Sequence, residues 1–264
     1  MNNKLTLSKR IKTMLLLDFK RLFKTPLFYI MVGVAVVIPV LVLVMTTMMD
    51  GSTTTNPQTG EVTVIEGFDN VWQSIDSISG TSTGMSMDLT SMCNINLLYF
   101  LILVVGCLFI GNDYRSGYVK NLFTSRSKKI EYVLSKTITC FFVSSLMVIG
   151  YFVGALLGGK VSGLSFELVD VTFSNVLMCV LSKIFLTLIF VSISVVMSIT
   201  AKNSVWLSIL ASFAVSMLLY TMIPMISPLN STIMNVGLSI AIGILFSIGI
   251  GLISNLILKK SNIL

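Results

Sequence analysis

Residues 20–50 read KRLFKTPLFYIMVGVAVVIPVLVLVMTTMMD, and their order decides the architecture. Lys20, Arg21 and Lys24 come first, Thr25-Pro26 interrupts, and Leu27–Met49 then runs without a charge as far as Asp50. A helix needs about 20 apolar residues to cross a bilayer, so this run is a membrane span. It is too long for a cleavable signal peptide, has no small-residue cleavage site, and is soon followed by another apolar run. The residue before a proline is pushed toward extended backbone, so Thr25-Pro26 separates the span from any helix ahead of it. Pro39 predicts a kink within the span.

Further apolar runs follow near Asn94–Gly111, Ile138–Gly159, Val180–Ile199, Val205–Ile223 and Ile233–Leu258. The basic residues alternate with them. Lys4, Lys9, Arg10, Lys12, Lys20, Arg21 and Lys24 precede the first run. Arg115, Lys120, Arg126, Lys128, Lys129 and Lys136 lie between the second and third, Lys202 between the fourth and fifth, and Lys259 and Lys260 after the last. The segments facing the other way hold only Lys160, and Lys183 falls within a run. An excess of Lys and Arg marks cytoplasmic segments. The expectation is an all-α membrane protein of six transmembrane helices with both termini cytoplasmic, in a multi-pass plasma-membrane setting.

Composition agrees. Mean hydropathy is +0.94, and only 11% of the 264 residues are charged, against about 25% in soluble domains. The net charge of +7 is a consequence of topology, so lipid is expected as a partner and nucleic acid is not. Anionic lipids contribute roughly 1 kcal/mol per basic residue near the surface.

The absence of histidine excludes His-based triads, HExxH metal sites and imidazole proton relays. Gly154-Ala155-Leu156-Leu157-Gly158-Gly159-Lys160 has the GxxxxGK spacing of a phosphate-binding loop, but Val161 stands where a magnesium-binding hydroxyl is needed. A span precedes it where a strand is required. The chain is thus expected to be no enzyme and to hold neither cofactor nor metal. Cys107 and Cys140 read as small apolar residues within spans. Cys93 and Cys179 both fall near the outer face, where a disulfide is conceivable.

Small residues recur every fourth position in three spans: Gly150, Gly154 and Gly158; Ser204, Ser208, Ser212 and Ser216; and Ser239, Gly243, Ser247 and Gly251. Such stripes let helix backbones approach closely in lipid. They serve either packing within one subunit or a dimer interface. Lys183 either snorkels to the outer surface or faces a substrate.

Two cytoplasmic stretches have docking character. From Leu7 to Lys24, Leu7, Ile11, Met14, Leu15 and Leu22 share one helical face, and Lys9, Arg10, Lys12, Lys20, Arg21 and Lys24 lie opposite. That is a basic amphipathic helix suited to the membrane interface. Asp18 falls on its apolar side and is expected to pair with a basic neighbour or a partner protein. Between the second and third runs, Tyr118, Val119, Leu122 and Phe123 form a short apolar helix face that suits a partner's groove or lipid headgroups.

The run Asp113-Tyr114-Arg115-Ser116-Gly117, with Tyr118 to Phe123, Ser127 and Lys136 after it, resembles the (E/D)-x-R-x-G signature of ABC-2 type transporter permeases. The amphipathic N-terminal helix, the six spans and the internal termini fit as well. The resemblance implies residues 1–26 as a connecting helix and 27–264 as the permease domain, with a cytoplasmic coupling loop at 112–136. It further implies a dimer with a second permease copy or paralogue, and a separate cytoplasmic ATPase that binds Mg-ATP. Asp113, Arg115, Gly117, Tyr118, Leu122 and Phe123 then couple to that ATPase. Small permeases of this kind often serve peptide export or antimicrobial-peptide immunity in Gram-positive bacteria. A membrane sensor or scaffold would account for a large outer loop but not for the motif. An ion-coupled transporter would need ionisable residues deep in the spans, where only Lys183 qualifies.

The extracellular loop at 50–93 carries Asp50, Glu61, Glu66, Asp69, Asp76 and Asp88 and no Lys or Arg. Thr53–Thr55 and Glu61–Ile65 read as a hairpin. Phe68, Val71, Trp72, Ile75 and Ile78 then form an apolar helix face. It either lies on the outer leaflet with Trp72 at headgroup depth, or forms an acidic lid over an exit, with Asp69, Trp72, Asp76 and Lys183 as the candidate substrate residues.

Overall fold

A computed structural model of the chain describes residues 7–55, 62–64, 67–76, 94–124, 128–168, 171–202, 204–220 and 222–260. Helix α1 spans Leu7–Lys24 and α2 spans Pro26–Met49. Thr25 between them is extended, with φ −90° and ψ 123°, and Pro26 opens α2, as the X-Pro rule requires. Strands β1 (Thr53–Thr55) and β2 (Val62–Val64) pair antiparallel, with Thr54 opposite Thr63. Then come α3 (Leu98–Arg115), α4 (Tyr118–Thr124), α5 (Lys129–Ser162), α6 (Phe173–Ala201), α7 (Val205–Tyr220), α8 (Ile223–Ile226) and α9 (Ile233–Lys260). The five helices α2, α3, α5, α6 and α9 are long and apolar enough to cross a membrane. Helix α7 is apolar but 16 residues long. The protein is a multi-pass helical membrane protein.

Helix α2 lies along α5, and α9 lies along α6. The small residues explain both contacts. A Cβ on Gly154 would collide with the Val36 carbonyl and the Pro39 ring, and one on Gly158 would stand 2.9 Å from Cα of Val40. Pro39 is therefore seated in a groove opened by glycine, and α2 stays helical through it. On α9, Ser239 is buried, and a Cβ on Gly243 would lie 2.7 Å from the Phe185 carbonyl. Lower down the same stripe the contact lapses: Gly251 is close only to Val133, at 4.0 Å. Ser208 and Ser212 of α7 face Cys107 of α3 at 3.1 and 3.4 Å, and Ser208 also meets Ser198 of α6 at 2.9 Å. The stripes thus serve packing within the subunit at Gly150–Gly158, Ser208–Ser212 and Ser239–Gly243. The GxxxxGK spacing is simply a turn of α5, which stays helical to Ser162.

The two ends of the bundle differ in charge. Arg21, Arg115, Lys129, Lys136, Lys202 and Lys259 collect at one, here termed the basic end. Asp50, Asp69, Asp76 and Glu167 collect at the other, the acidic end.

The segment after β2 departs from expectation. Among the described residues, Phe68 to Asp76 do not form an amphipathic α-helix. A single 3-10 turn, Val71–Ser74, is pinned to the bundle, with Phe68, Val71, Trp72 and Ile75 buried. The cause is side-chain to backbone bonding. Asn70 Oδ1 accepts from the Trp72 N–H at 3.1 Å, Asn70 Nδ2 donates to the Glu167 carbonyl at 2.6 Å, and Trp72 Nε1 donates to the Phe166 carbonyl at 3.1 Å. Gly159 permits the approach, because a Cβ there would collide with Val71. Glu61, Glu66, Ile78, Asp88 and Cys93 lie outside the described residues. Cys179 is a free, buried thiol 3.4 Å from the Ser227 carbonyl.

Candidate functional site

At the basic end three elements converge on a buried charge network. Helix α1 packs on α5 through Met14, Asp18 and Leu22, spaced one turn apart on one face. That face delivers the carboxylate of Asp18 into the interface, where the Lys136 ammonium of α5 lies 2.6 Å from Oδ1 and the Ser135 hydroxyl donates to Oδ2 at 2.6 Å. Lys136 also lies 2.7 Å from Oδ2 of Asp113 in the last turns of α3. Arg21 of α1 closes the chain on Asp113 Oδ1 at 2.6 Å. Asp18, Asp113 and Lys136 are wholly buried, and Arg21 is about a third exposed. Buried charges are tolerated only when paired and hydrogen-bonded, and each of these is. Burial alone would lower the Arg21 pKa, but Asp113 holds the guanidinium above its ordinary value. Burial raises the Tyr118 phenol, with Asp18 adding to the rise and Lys136 opposing it. Arg10 adds a longer contact, 3.7 Å from Glu131.

The Asp113–Gly117 motif is the turn that carries α3 into α4. Gly117 has φ +71°, a conformation that glycine adopts freely, and its N–H donates to the Tyr114 carbonyl at 3.2 Å. Helix α4 then runs back over the network. The Arg21 guanidinium lies 3.9 Å from the Tyr118 ring centroid, and Phe123 meets Tyr132 edge-on at 5.8 Å.

This corrects the expected orientation of the short helix. Tyr118, Val119, Leu122 and Phe123 do share a face, but the face turns inward. Val119 is buried, Leu122 and Phe123 are partly buried against the core, and Tyr118 is partly buried against Arg21. What α4 presents to solvent is Lys120, Asn121 and Thr124. The physical reason is that the bundle supplies partners for the rings: the Arg21 guanidinium of α1 for Tyr118, and Tyr132 and Lys129 of α5 for Phe123.

A second charged cluster sits at the acidic end. Lys183 of α6 does not snorkel. Its ammonium is wholly buried, 2.9 Å from Asp76 Oδ2, 3.0 Å from Asn96 Oδ1 and 3.3 Å from Ser227 Oγ. The cluster ties the outer segment to α6, the start of α3 and the α8–α9 turn. Asp76 is thus neutralised internally, Trp72 is buried, and Asp69 alone of the candidate acidic pair is exposed. Asn96, Ser227 and Asn70 carried no signal in the sequence. Lys183 did, as the one cation within a run.

A helical membrane protein whose motif-bearing turn is welded by buried charges to a neighbouring amphipathic helix has the form of a transport permease. The model of a family described as ABC-2 family transporter protein matches residues 14–219, and the chain belongs to that family. Its members are membrane components that generally work with an ATPase. The chain matches no curated protein and no solved structure.

Proposed function

We propose that the chain is the membrane-spanning subunit of an ATP-driven exporter, moving a peptide or a small amphipathic compound outward with energy from a separate ATPase. In this reading α7 is the sixth span, the basic end and both termini are cytoplasmic, and α4 rests on the ATPase. The observation that carries the proposal is the Asp18–Lys136–Asp113–Arg21 network. A displacement of α4 moves Asp113 and with it both α1 and α5, so a push from below reaches the long helices as one body. Asp113, Arg115, Gly117, Tyr118, Leu122 and Phe123 shape and hold the coupling helix, while Lys120 and Asn121 touch the ATPase. Mg-ATP is bound by that partner and not by this chain.

A second copy or a paralogue is expected to complete the pathway, with the exposed apolar face of α9 around Ile244, Leu245 and Ile248 available to it. At the acidic end, exposed Asp69 favours cationic cargo, which suits antimicrobial-peptide export or immunity in a Gram-positive plasma membrane. The test is reconstitution in vesicles. With the ATPase that co-purifies from native membranes, ATP should drive uptake of a labelled cationic amphipathic peptide into inside-out vesicles. The chain alone should drive none, and uphill transport by the chain alone overturns the proposal.

A further inference from the structure

Between the α1–α2 elbow, the last turns of α3 and the start of α7 lies a cavity of about 260 Å³. Arg21, Arg115 and Asn112 form its polar wall, and Leu27, Leu108 and Val205 its apolar wall. We propose that this cavity seats the phosphate headgroup of an anionic phospholipid, with the acyl chains leaving along Leu27 and Leu108.

The charge balance points to an anion. Lys136 and Arg21 already match Asp18 and Asp113. Arg115 makes no ion pair among the described residues, so it is the local surplus. Arg21 lines the cavity beside it, its Nη2 held by Asp113 and its side chain about a third exposed.

The apolar wall separates a lipid from a free ion. Inorganic phosphate would leave Leu27, Leu108 and Val205 against water, and a zwitterionic headgroup would set its own cation beside Arg115. The depth fits an inner-leaflet headgroup, because the cavity lies where α2 begins at the basic end. That placement rests on the orientation proposed above.

Native mass spectrometry of the detergent-solubilised full chain, offered phosphatidylglycerol or phosphatidylcholine, tests the site. Phosphatidylglycerol should be retained preferentially, one per chain, by about tenfold or more. Arg115→Gln removes an exposed side chain and leaves the buried network whole; it should abolish the preference. Lys120→Gln, basic and exposed but outside the cavity, should keep it. Leu108→Trp, which fills the apolar wall, should weaken lipid retention. Equal retention of the two lipids by the unaltered chain, or equal losses in Arg115→Gln and Lys120→Gln, overturns the proposal. Arg115-dependent binding of inorganic phosphate that survives Leu108→Trp overturns the lipid assignment in favour of a free anion. The orientation is tested apart: labelling of Lys120→Cys from outside intact cells overturns the topology, whatever the lipid result in detergent.

Discussion

Asp18 of α1 and Lys136 of α5 stand 118 residues apart in the chain and 2.6 Å apart in space, and both side chains are wholly buried. Removing one partner of a buried pair leaves an uncompensated charge, at a cost of about 3–5 kcal/mol. Lys136→Met leaves Asp113 with Arg21 but takes from Asp18 its close cation, leaving it the Ser135 hydroxyl and Arg21 at 4.0 Å, so it should lower stability by about that amount. Asp18→Asn leaves Lys136 paired with Asp113 and should cost less. Unfolding in detergent, followed by circular dichroism or by thiol exposure at Cys140, gives the order. The reverse order would show that Lys136 is not the hub.

The Lys183–Asp76 pair makes a similar prediction at the opposite end. Lys183→Met should release the outer segment and raise its protease sensitivity, because Asp76 is left buried without its cation. Replacing both groups, as Lys183→Met with Asp76→Asn, should recover most of the loss. Asp69→Asn, on an exposed side chain, should leave protease sensitivity unchanged while weakening transport of a cationic peptide relative to a neutral one. Equal effects on the two peptides would remove Asp69 from any role in cargo selection.

The orientation of α4 separates two kinds of coupling variant. Phe123→Asp puts a charge against Tyr132 and should destabilise the chain itself by about 1–3 kcal/mol, with ATPase binding lost as a consequence. Lys120→Glu alters only the outward face. It should leave unfolding unchanged and reduce ATPase capture in a pull-down. Unimpaired capture and unimpaired ATPase stimulation in Lys120→Glu would move the contact elsewhere.

Much of this arrangement is legible in the sequence, for reasons that differ by element. Spans are read from length and hydropathy, which are local properties. The Thr25-Pro26 break and the β1–β2 hairpin follow from local backbone rules. Asp18 on an apolar face announces a buried partner, but its identity depends on how α1 lies against α5, which no local pattern encodes. The inward roll of α4 is hidden for the same reason, since an apolar face reads alike whether it meets its own bundle or another protein. The Phe68–Ile75 stretch misleads because its apolar spacing is helical while Asn70 and Trp72 find better acceptors in the 165–167 turn. Charge alternation marked Lys183 as unusual, yet Asn96 and Ser227 are ordinary polar residues until the chain brings them to it.

Gly154 and Gly237 offer a matched test of the packing that seats Pro39. Both are glycines on spanning helices, and only one is crowded. A Cβ on Gly154 meets the Val36 carbonyl and the Pro39 ring, and neither can yield without moving α2. Nothing lies within 4 Å of a Cβ on Gly237. Overpacking of this kind costs about 1–3 kcal/mol, so Gly154→Ala should lower the unfolding midpoint, whereas Gly237→Ala should leave it unchanged or raise it slightly, as alanine is the better helix former. Pro39→Ala combined with Gly154→Ala removes the ring but not the carbonyl, and should restore only part of the stability. Full restoration would place the whole clash on the ring. An unaffected Gly154→Ala would mean that α2 and α5 do not approach as closely as their backbones indicate.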